Sequence, residues 1–287
     1  MIRFGPSGNS AEFYDEGHKH TYEAMKWVAE RGLNAYEYSF GRGVRIGEPT
    51  AKKIADEAEK YGVAMSVHAP FFINLATDDA EKIAKNEGYF LDAAKAARLL
   101  GADRVVFHPG ACAKIDRGLA MELTKKNFKH MLDMLDDAGF GDLTYCPETM
   151  GKINQVGDLG EVIELCGIDE RVLPTIDFGH LHTRGLGAIN TSEDFEQILL
   201  KLIDGIGYER TRDMHVHFSK IAFTKMGEKA HVTFADEGFG PDFAQLAPLL
   251  VKHELYPRIL CESKDTMAMD AVAMKKMYEE ALNEQGR

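Results

Sequence analysis

The sequence predicts a single (β/α)8 TIM barrel, an α/β fold, from two observations. Eight short apolar segments alternate with eight amphipathic segments along the whole chain, which is typical of a parallel sheet covered by helices. The chain of 287 residues allows about 36 residues for each strand–helix unit, and single barrels of roughly this length are common. We therefore expect residues 1–287 to form one domain.

Each predicted strand is rich in Val, Ile, Phe, Tyr or Leu, the residues that favour extended structure. The eight strands are IRFG at 2–5, AYEYSF at 35–40, AMSVHA at 64–69, RVVFHP at 104–109, LTYCPE at 143–148, LPTIDF at 173–178, DMHVHF at 213–218 and RILCES at 258–263.

Between the strands, apolar residues recur with a period near 3.6, which predicts amphipathic helices. The predicted helices cover 22–32, 49–62, 79–101, 118–139, 159–167, 193–206, 241–254 and 269–284. A doubly wound sheet shows the same alternation, but eight units favour the barrel. A GxGxxG motif is absent after the first strand, which disfavours a dinucleotide-binding fold.

Composition excludes several classes of protein. No run of 18 apolar residues occurs and the first ten residues lack a signal-peptide layout, so we expect a cytoplasmic protein without a membrane segment. The four cysteines form no CxxC pair, which indicates reduced thiols. The net charge of −12 argues, on first inspection, against a nucleic-acid partner.

Histidine and acidic residues collect where the predicted strands end. The residues in question are His68, His108, Glu148, Asp177, His215 and Glu262, which follow one another at intervals of 40, 40, 29, 38 and 47 residues. Each interval is about one strand–helix unit. In a barrel these side chains would meet at the C-terminal rim of the strands, where barrel active sites lie.

Imidazole and carboxylate ligands without thiolate suit zinc, manganese or iron. Six candidate ligands, or eight with His180 and His231, exceed what one tetrahedral zinc ion can use. The pattern therefore predicts a site for two or more divalent ions, which is suited to hydrolysis of a phosphate ester.

Six segments of the chain also resemble endonuclease IV, a family of apurinic/apyrimidinic (AP) endonucleases with a (β/α)8 barrel and a three-metal centre. The segments are HAPFFINLA at 68–76, VVFHPG at 105–110, ETMGK at 148–152, DFGH at 177–180, MHVHFSK at 214–220 and CES at 261–263. The resemblance implies a monomeric DNA-repair hydrolase that cuts duplex DNA 5′ to abasic sites by means of a metal-bound hydroxide.

The resemblance also implies ligands for zinc, with manganese or iron as alternatives. His68, His108 and Glu148 would hold a first ion. Glu148 would bridge to a second ion, completed by Asp177, His215 and Glu262. Glu148 and Glu262 would also orient the attacking water, which makes them the implied catalytic residues.

The third implied site, at His180 and His231, departs from the family pattern. The family has an acidic ligand two residues before the second histidine, where this chain has Lys229, and an ammonium group cannot ligate a metal. Glu228, His182 or His217 would then replace that ligand, or the third ion binds weakly, or it is absent. In the last case Lys229 would supply the positive charge that faces the phosphate.

Other residues are implied to contact DNA. Phe71 and Phe72 would enter the duplex as wedges at the lesion, unless they belong to the barrel core. Arg42 and Arg45, in a loop with three glycines, would reach the DNA backbone or minor groove. Asn74 would contact a phosphate or support the ligands.

A second function fits part of the pattern. The sugar isomerases and epimerases of xylose-isomerase-like barrels use one metal, for which Glu148, Asp177, His215 and Glu262 would suffice. Such an enzyme does not need His68, His108 and His231, so these histidines favour the endonuclease. Bound divalent ions would add positive charge at one rim, so the acidity of the whole chain does not exclude DNA.

Overall fold

The computed structural model describes residues 1–286, and its centre is a closed barrel of eight parallel strands. In chain order the strands are β1 (Arg3–Pro6), β2 (Ala35–Ser39), β3 (Ala64–His68), β4 (Arg104–Phe107), β5 (Gly110–Ala111), β6 (Thr144–Pro147), β7 (Gln155–Val156), β8 (Thr175–Asp177), β9 (His215–Phe218), β10 (Lys220–Thr224), β11 (Gly227–Val232) and β12 (Arg258–Cys261).

Two half-barrels make up the closed sheet. Their strand orders are β1-β12-β9-β8 and β2-β3-β4-β6. Parallel bridges between Ser7 and Glu37 and between Glu148 and Thr175 join the halves at both seams. The predicted (β/α)8 barrel is therefore confirmed, and each predicted strand lies within two residues of an observed one.

The helices are α1 (Ala11–Asp15), α2 (Thr21–Glu30), α3 (Glu48–Tyr61), α4 (Ala80–Leu100), α5 (Arg117–Asp137), α6 (Leu159–Cys166), α7 (Phe178–Arg184), α8 (Ser192–Ile206), α9 (Tyr208–Arg212), α10 (Phe243–Lys252) and α11 (Met267–Glu284). The eight predicted helices all occur, again within two residues at each end. None of the helices within residues 1–286 has the length and apolar character that crossing a membrane requires.

The residues at its two ends define helix α4, one of the longest helices. The carboxylate of Asp79 accepts hydrogen bonds from the backbone N–H groups of Glu81 and Lys82, which caps the start of α4. Gly101 ends the same helix with φ of +66°, a left-handed conformation that glycine adopts without steric cost.

Aromatic side chains fill the layer between the strands and the helices. The ring of Phe107 in β4 lies 5.0 Å from both Phe90 of α4 and Phe128 of α5. On the other side of the barrel, Phe218 of β9 packs 5.0 Å from Phe243 of α10. Polar side chains, in contrast, meet inside the upper part of the barrel, where they build the site described next.

Several smaller features were not predicted from the sequence. Helices α1, α7 and α9 have five to seven residues, too few to show a helical period. Strands β5 and β7 form a two-residue antiparallel ladder, and β10 and β11 form a hairpin that follows the end of β9. All four cysteines are free and buried, as reduced thiols would be.

Candidate metal centre

A cleft of about 440 Å³ opens at the C-terminal rim of the barrel. Histidine and carboxylate side chains line it, together with Phe71 and Lys152. Three groups of side chains, defined below, converge there closely enough to hold metal ions.

The first ligand group consists of His68, His108 and Glu148. The Nε2 atoms of both histidines lie 3.1 Å from Oε2 of Glu148. His68 Nδ1 lies 2.8 Å from the carbonyl oxygen of Ala69, which directs Nε2 of the ring toward the carboxylate. The structure thus brings together the three residues that the sequence assigns to a first ion.

The second ligand group consists of Glu148, Asp177, His217 and Glu262. His217 Nδ1 lies 2.9 Å from Glu148 Oε1 and 3.6 Å from Glu262 Oε2. Oδ2 of Asp177 is buried without a hydrogen-bond partner among the described residues. A buried carboxylate oxygen that lacks a partner is costly, and a cation at this point would remove that cost.

The sequence assigned His215 to this group, and that placement is corrected by the strand register. Asp177 at the end of β8 pairs with His217 of β9, whereas His215 pairs with Thr175. His215 therefore lies two residues deeper in the barrel, where its Nε2 is 3.1 Å from Glu37 Oε2. His217 takes the position expected of His215.

The third ligand group consists of His180, Glu228 and His231. His180 Nε2 lies 3.6 Å from Glu228 Oε2, and His180 Nδ1 lies 2.8 Å from the carbonyl oxygen of Thr149. Of the alternatives that the sequence leaves open, the structure places Glu228, and neither His182 nor His217, beside His180 and His231.

A β-bulge explains how Glu228 reaches this position. In the β10–β11 hairpin Ala222 pairs with Ala230 and Phe223 with Glu228, so Lys229 is the extra residue. A bulge shifts the alternation of side chains by one residue, which turns Glu228 to the side of His231. Lys229 is exposed, and Lys152 rather than Lys229 lines the cleft.

The tip of the hairpin is held against the loop that follows β6. Gly227 forms a bridge with Lys152, and the backbone N–H of Glu228 donates to the carbonyl oxygen of Gly151 over 3.1 Å. A Cβ atom on Gly227 would lie 2.2 Å from the oxygen of Gly151. Only glycine therefore permits the contact that places Glu228.

Burial and mutual charge shift the pKa values of the groups in the centre. Burial, with help from Glu262, raises the pKa of Asp177 to about 6. Burial lowers the pKa of His68, but the hydrogen bond to Glu148 and the charges of Glu148 and Glu37 together outweigh it and raise the pKa to about 8. Burial also lowers the pKa of His180, but the negative charges of Asp177 and the neighbouring glutamates together outweigh it and raise that pKa to about 9.

The remaining shifts follow the same physical logic. Burial would raise the pKa of Glu148, but the histidines around it hold that pKa well below its usual range. Burial lowers the pKa of His215 to about 4, so this ring is neutral at pH 7. Near pH 7 the rings of His68 and His180 hold protons that compensate the carboxylates, as metal cations would.

These residues fit divalent metal ions. The donors are imidazole nitrogens and carboxylate oxygens, which suit zinc, manganese and iron. Glu148 belongs to two of the groups, so it can bridge neighbouring ions.

The two phenylalanines of the β3 loop do not belong to the barrel core. Phe71 and Phe72 are 51% and 53% exposed. The ring of Phe71 lies nearly parallel to that of His108, with 6.2 Å between centroids. This exposed apolar pair borders the polar cleft, which Phe71 helps to line.

Of the other residues predicted to contact DNA, the two arginines are exposed, whereas Asn74 is engaged in hydrogen bonds within the chain. Arg42 and Arg45 lie on the loop after β2 and are at least partly exposed. Oδ1 of Asn74 instead accepts hydrogen bonds from the backbone N–H groups of Ala76 and Ala111. Asn74 therefore ties its loop to β5.

A profile of the xylose isomerase-like TIM-barrel family matches residues 25–283. That match covers most of the chain. The chain belongs to the xylose isomerase-like TIM-barrel family.

Of two relatives with similar sequences, one is uncharacterised and the other is named as an endonuclease. An uncharacterised protein of Methanocaldococcus jannaschii is 32% identical over 280 residues, which is 98% of each chain. A probable endonuclease 4 of Mycoplasmoides gallisepticum is 27% identical over 231 residues, covering 70% of this chain and 75% of the relative.

Solved structures show the same fold. Endonuclease IV from Thermus thermophilus superposes with a TM-score of 0.69 at 20% identity, covering 98% of this chain and 99% of its own. A D-tagatose 3-epimerase-like protein superposes with a TM-score of 0.73, also at 20% identity, over 100% of both chains. The resemblance to endonuclease IV is thus shown, and an epimerase fold resembles the chain equally well.

The sequence did not assign His217 to the second ligand group, and it did not single out Glu37. Asp177 and His217 are 40 residues apart, the same interval that separates His68 from His108 and His108 from Glu148. That interval was the available signal for His217. Glu37 lies within β2 and is fully buried. Its only signal in the sequence is an acidic residue within a predicted strand that is otherwise mostly apolar.

Proposed function

We propose that the protein is a metal-dependent phosphodiesterase that hydrolyses duplex DNA on the 5′ side of abasic sites. One observation carries the proposal: His68 and His108 adjoin Glu148 in addition to the four-residue group of Glu148, Asp177, His217 and Glu262. A one-metal enzyme has no use for the extra histidines, whereas a centre for adjacent ions needs them. A relative named probable endonuclease 4 supports the same conclusion.

The proposed ions are two or three zinc ions, with manganese or iron as alternatives. When bound, they would activate a water molecule and stabilise charge on the phosphate and the leaving oxygen. Among the chain's own residues, Glu148 is 1% exposed and holds the ligand groups together. Glu262, 20% exposed, faces the cleft and would accept a hydrogen bond from the attacking water.

Further residues would position the DNA. The exposed rings of Phe71 and Phe72 would stack on bases next to the lesion, a contact worth about 1–3 kcal/mol per base. Lys152 in the lining of the cleft, together with Arg42 and Arg45, would contact phosphates. The third ligand group, with Glu228 in place of an acid at position 229, removes the need for Lys229 to replace an ion.

The proposal is tested by an incision assay. A duplex with one tetrahydrofuran abasic analogue is incubated with zinc-loaded protein, with and without chelator. We expect a single cut 5′ to the analogue that the chelator abolishes, and no cut in the undamaged duplex. Absence of incision with zinc, manganese and cobalt alike would contradict the proposal.

A sugar isomerase or epimerase is the second candidate. Glu148 and Glu262 both approach His217 Nδ1 in the second ligand group, at 2.9 and 3.6 Å, and paired carboxylates suit proton transfer at a ketose. The fold of a D-tagatose 3-epimerase-like protein is also similar. An epimerase would convert ketoses with His108→Ala as well as with the unchanged chain, whereas the nuclease would lose incision.

A further inference from the structure

Glu37 lies at the centre of a polar cluster beneath the second ligand group. This carboxylate, in the middle of β2, is fully buried. Its Oε2 accepts hydrogen bonds from Ser66 Oγ at 2.9 Å and from His215 Nε2 at 3.1 Å, and its Oε1 accepts one from Ser7 Oγ at 3.3 Å. Three donors from three different parts of the chain thus fix the plane of the carboxylate.

The fourth neighbour of Glu37 is His217. The ring of His217 lies between Glu37 on its Nε2 side and Glu148 and Glu262 on its Nδ1 side. Its Nε2 lies 2.9 Å from Glu37 Oε1, and its Nδ1 lies 2.9 Å from Glu148 Oε1. The Nε2–H direction is not aligned for a regular hydrogen bond, although the atoms are within reach.

A neutral imidazole carries one N–H group and one lone pair, and only the nitrogen with the lone pair can bind a metal. The partner of the other nitrogen decides which tautomer forms. Since Glu37 is held by Ser7, Ser66 and His215, it offers His217 a fixed acceptor on the Nε2 side.

We propose that Glu37 is a positioning residue for the metal centre. It keeps the proton of neutral His217 on Nε2 and so directs the Nδ1 lone pair to the position between Glu148, Asp177 and Glu262. Glu37 itself does not touch substrate or the reacting atoms. It acts through His217.

A different arrangement of the same residues would be a buried metal bound by Glu37, His215 and His217, whose ligand atoms also lie close together. The serine hydroxyls that donate to both oxygens of Glu37 favour a carboxylate that serves as a hydrogen-bond acceptor. The two arrangements differ in which nitrogen of His217 binds metal.

The inference rests on the metal centre used in the proposed function, and not on its substrate. The test uses the full-length protein with ¹⁵N-labelled histidine, loaded with zinc. We expect the ¹⁵N shifts of His217, assigned by comparison with His217→Asn, to show a metal-bound Nδ1 and a protonated Nε2. A metal-bound Nε2 of His217 in this unchanged chain would overturn the inference, even if Glu37→Gln does not fold.

The variant Glu37→Gln removes the charge with little change in shape. We expect its zinc affinity, measured by competition with a chromophoric chelator, to fall about 10-fold or more, in the 10–100-fold range typical of lost outer partners. Glu161→Gln is the matched control, because Glu161 is a buried carboxylate bonded to Arg117 and to the backbone outside the ligand groups. It should keep full zinc affinity.

Failure of this inference can be distinguished from failure of the proposed function. A wild-type chain that binds zinc while Glu37→Gln binds it equally tightly would overturn this inference alone. A wild-type chain that binds no divalent metal would overturn both this inference and the proposed function.

Discussion

Glu148 is the residue on which the geometry of the centre depends. Its two oxygens contact His68, His108 and His217, and it belongs to both the first and the second ligand group. A buried carboxylate is costly unless it is paired, so these histidines explain why an acid stands at the end of an apolar strand.

At the same scale, Glu262→Gln tests the role of the most accessible carboxylate of the second ligand group. We expect incision of the abasic duplex to fall by more than about 100-fold, because losing a ligand costs more than losing an outer partner. Circular dichroism should show an unchanged fold. Glu280→Gln, on the exposed face of α11, is the control, and equal activity of the two variants would contradict the assignment.

The pKa shifts predict that metal binding releases protons. With pKa values of about 8 for His68 and about 9 for His180, both rings hold protons at pH 7 in the metal-free chain. Those protons must leave before the nitrogens can bind metal. Zinc affinity should therefore rise as the pH increases from about 6 to about 9, and calorimetry in buffers of different ionisation enthalpy should detect proton release. An affinity that does not change over this range would refute the prediction.

Most residues of the three ligand groups were predictable because each one lies at the end of a strand, about one strand–helix unit after the one before it. His215 and His217 show where this reasoning fails. Both lie in β9 with side chains of the same parity, so the sequence cannot tell which is level with Asp177. The register between β8 and β9 decides it, and register depends on how the whole barrel closes.

At the scale of elements, the β10–β11 hairpin completes the third ligand group. The extra residue in its bulge turns Glu228 inward and leaves Lys229 exposed. A residue count from His231 cannot reveal a bulge, which explains why the sequence left the acidic ligand of this group open.

The hairpin gives a matched pair of variants. Glu228→Gln should lower the number of tightly bound metal ions by about one per chain, since it removes the carboxylate of the third ligand group. Lys229→Gln should leave that number unchanged. Elemental analysis after dialysis measures both, and a loss of metal in Lys229→Gln but not in Glu228→Gln would contradict the placement of Glu228 in the third ligand group.

The loop after β3 predicts a separate effect on DNA binding. Replacing both Phe71 and Phe72 by alanine should weaken binding of the abasic duplex by about 10-fold or more, given the stacking energy of exposed aromatics. Metal content should not change. Leu119→Ala, an exposed apolar residue of α5, provides the control, and equal affinities for the two variants would exclude the wedge role.

The eight longer helices were predictable because each carries enough residues to show a helical period. The eight barrel strands were predictable because each is a short segment rich in residues that favour extended structure. Helix α7 is an instructive exception. It begins directly after β8, and Asp177 caps it by accepting a hydrogen bond from the backbone N–H of His180. A helix of seven residues that is fixed by this cap is too short to show a periodic pattern in the sequence.

At the scale of the whole molecule, charge and function are compatible. The chain carries a net charge of −12, yet three of its carboxylates, Glu148, Asp177 and Glu262, converge in one ligand group. Divalent ions bound there would reverse the local sign at the rim. Binding of DNA would then depend on a small metal-centred area, with few of the phosphate contacts that make binding strongly dependent on salt.

The measurement that most directly tests the central claim is an anomalous difference map at the zinc edge, from crystals of the zinc-loaded protein. We predict separate peaks at the first and second ligand groups, on either side of Glu148, and a further peak between His180, Glu228 and His231. A single peak at the second group, with none beside His68 and His108, would contradict the multi-metal nuclease and favour a one-metal sugar isomerase or epimerase.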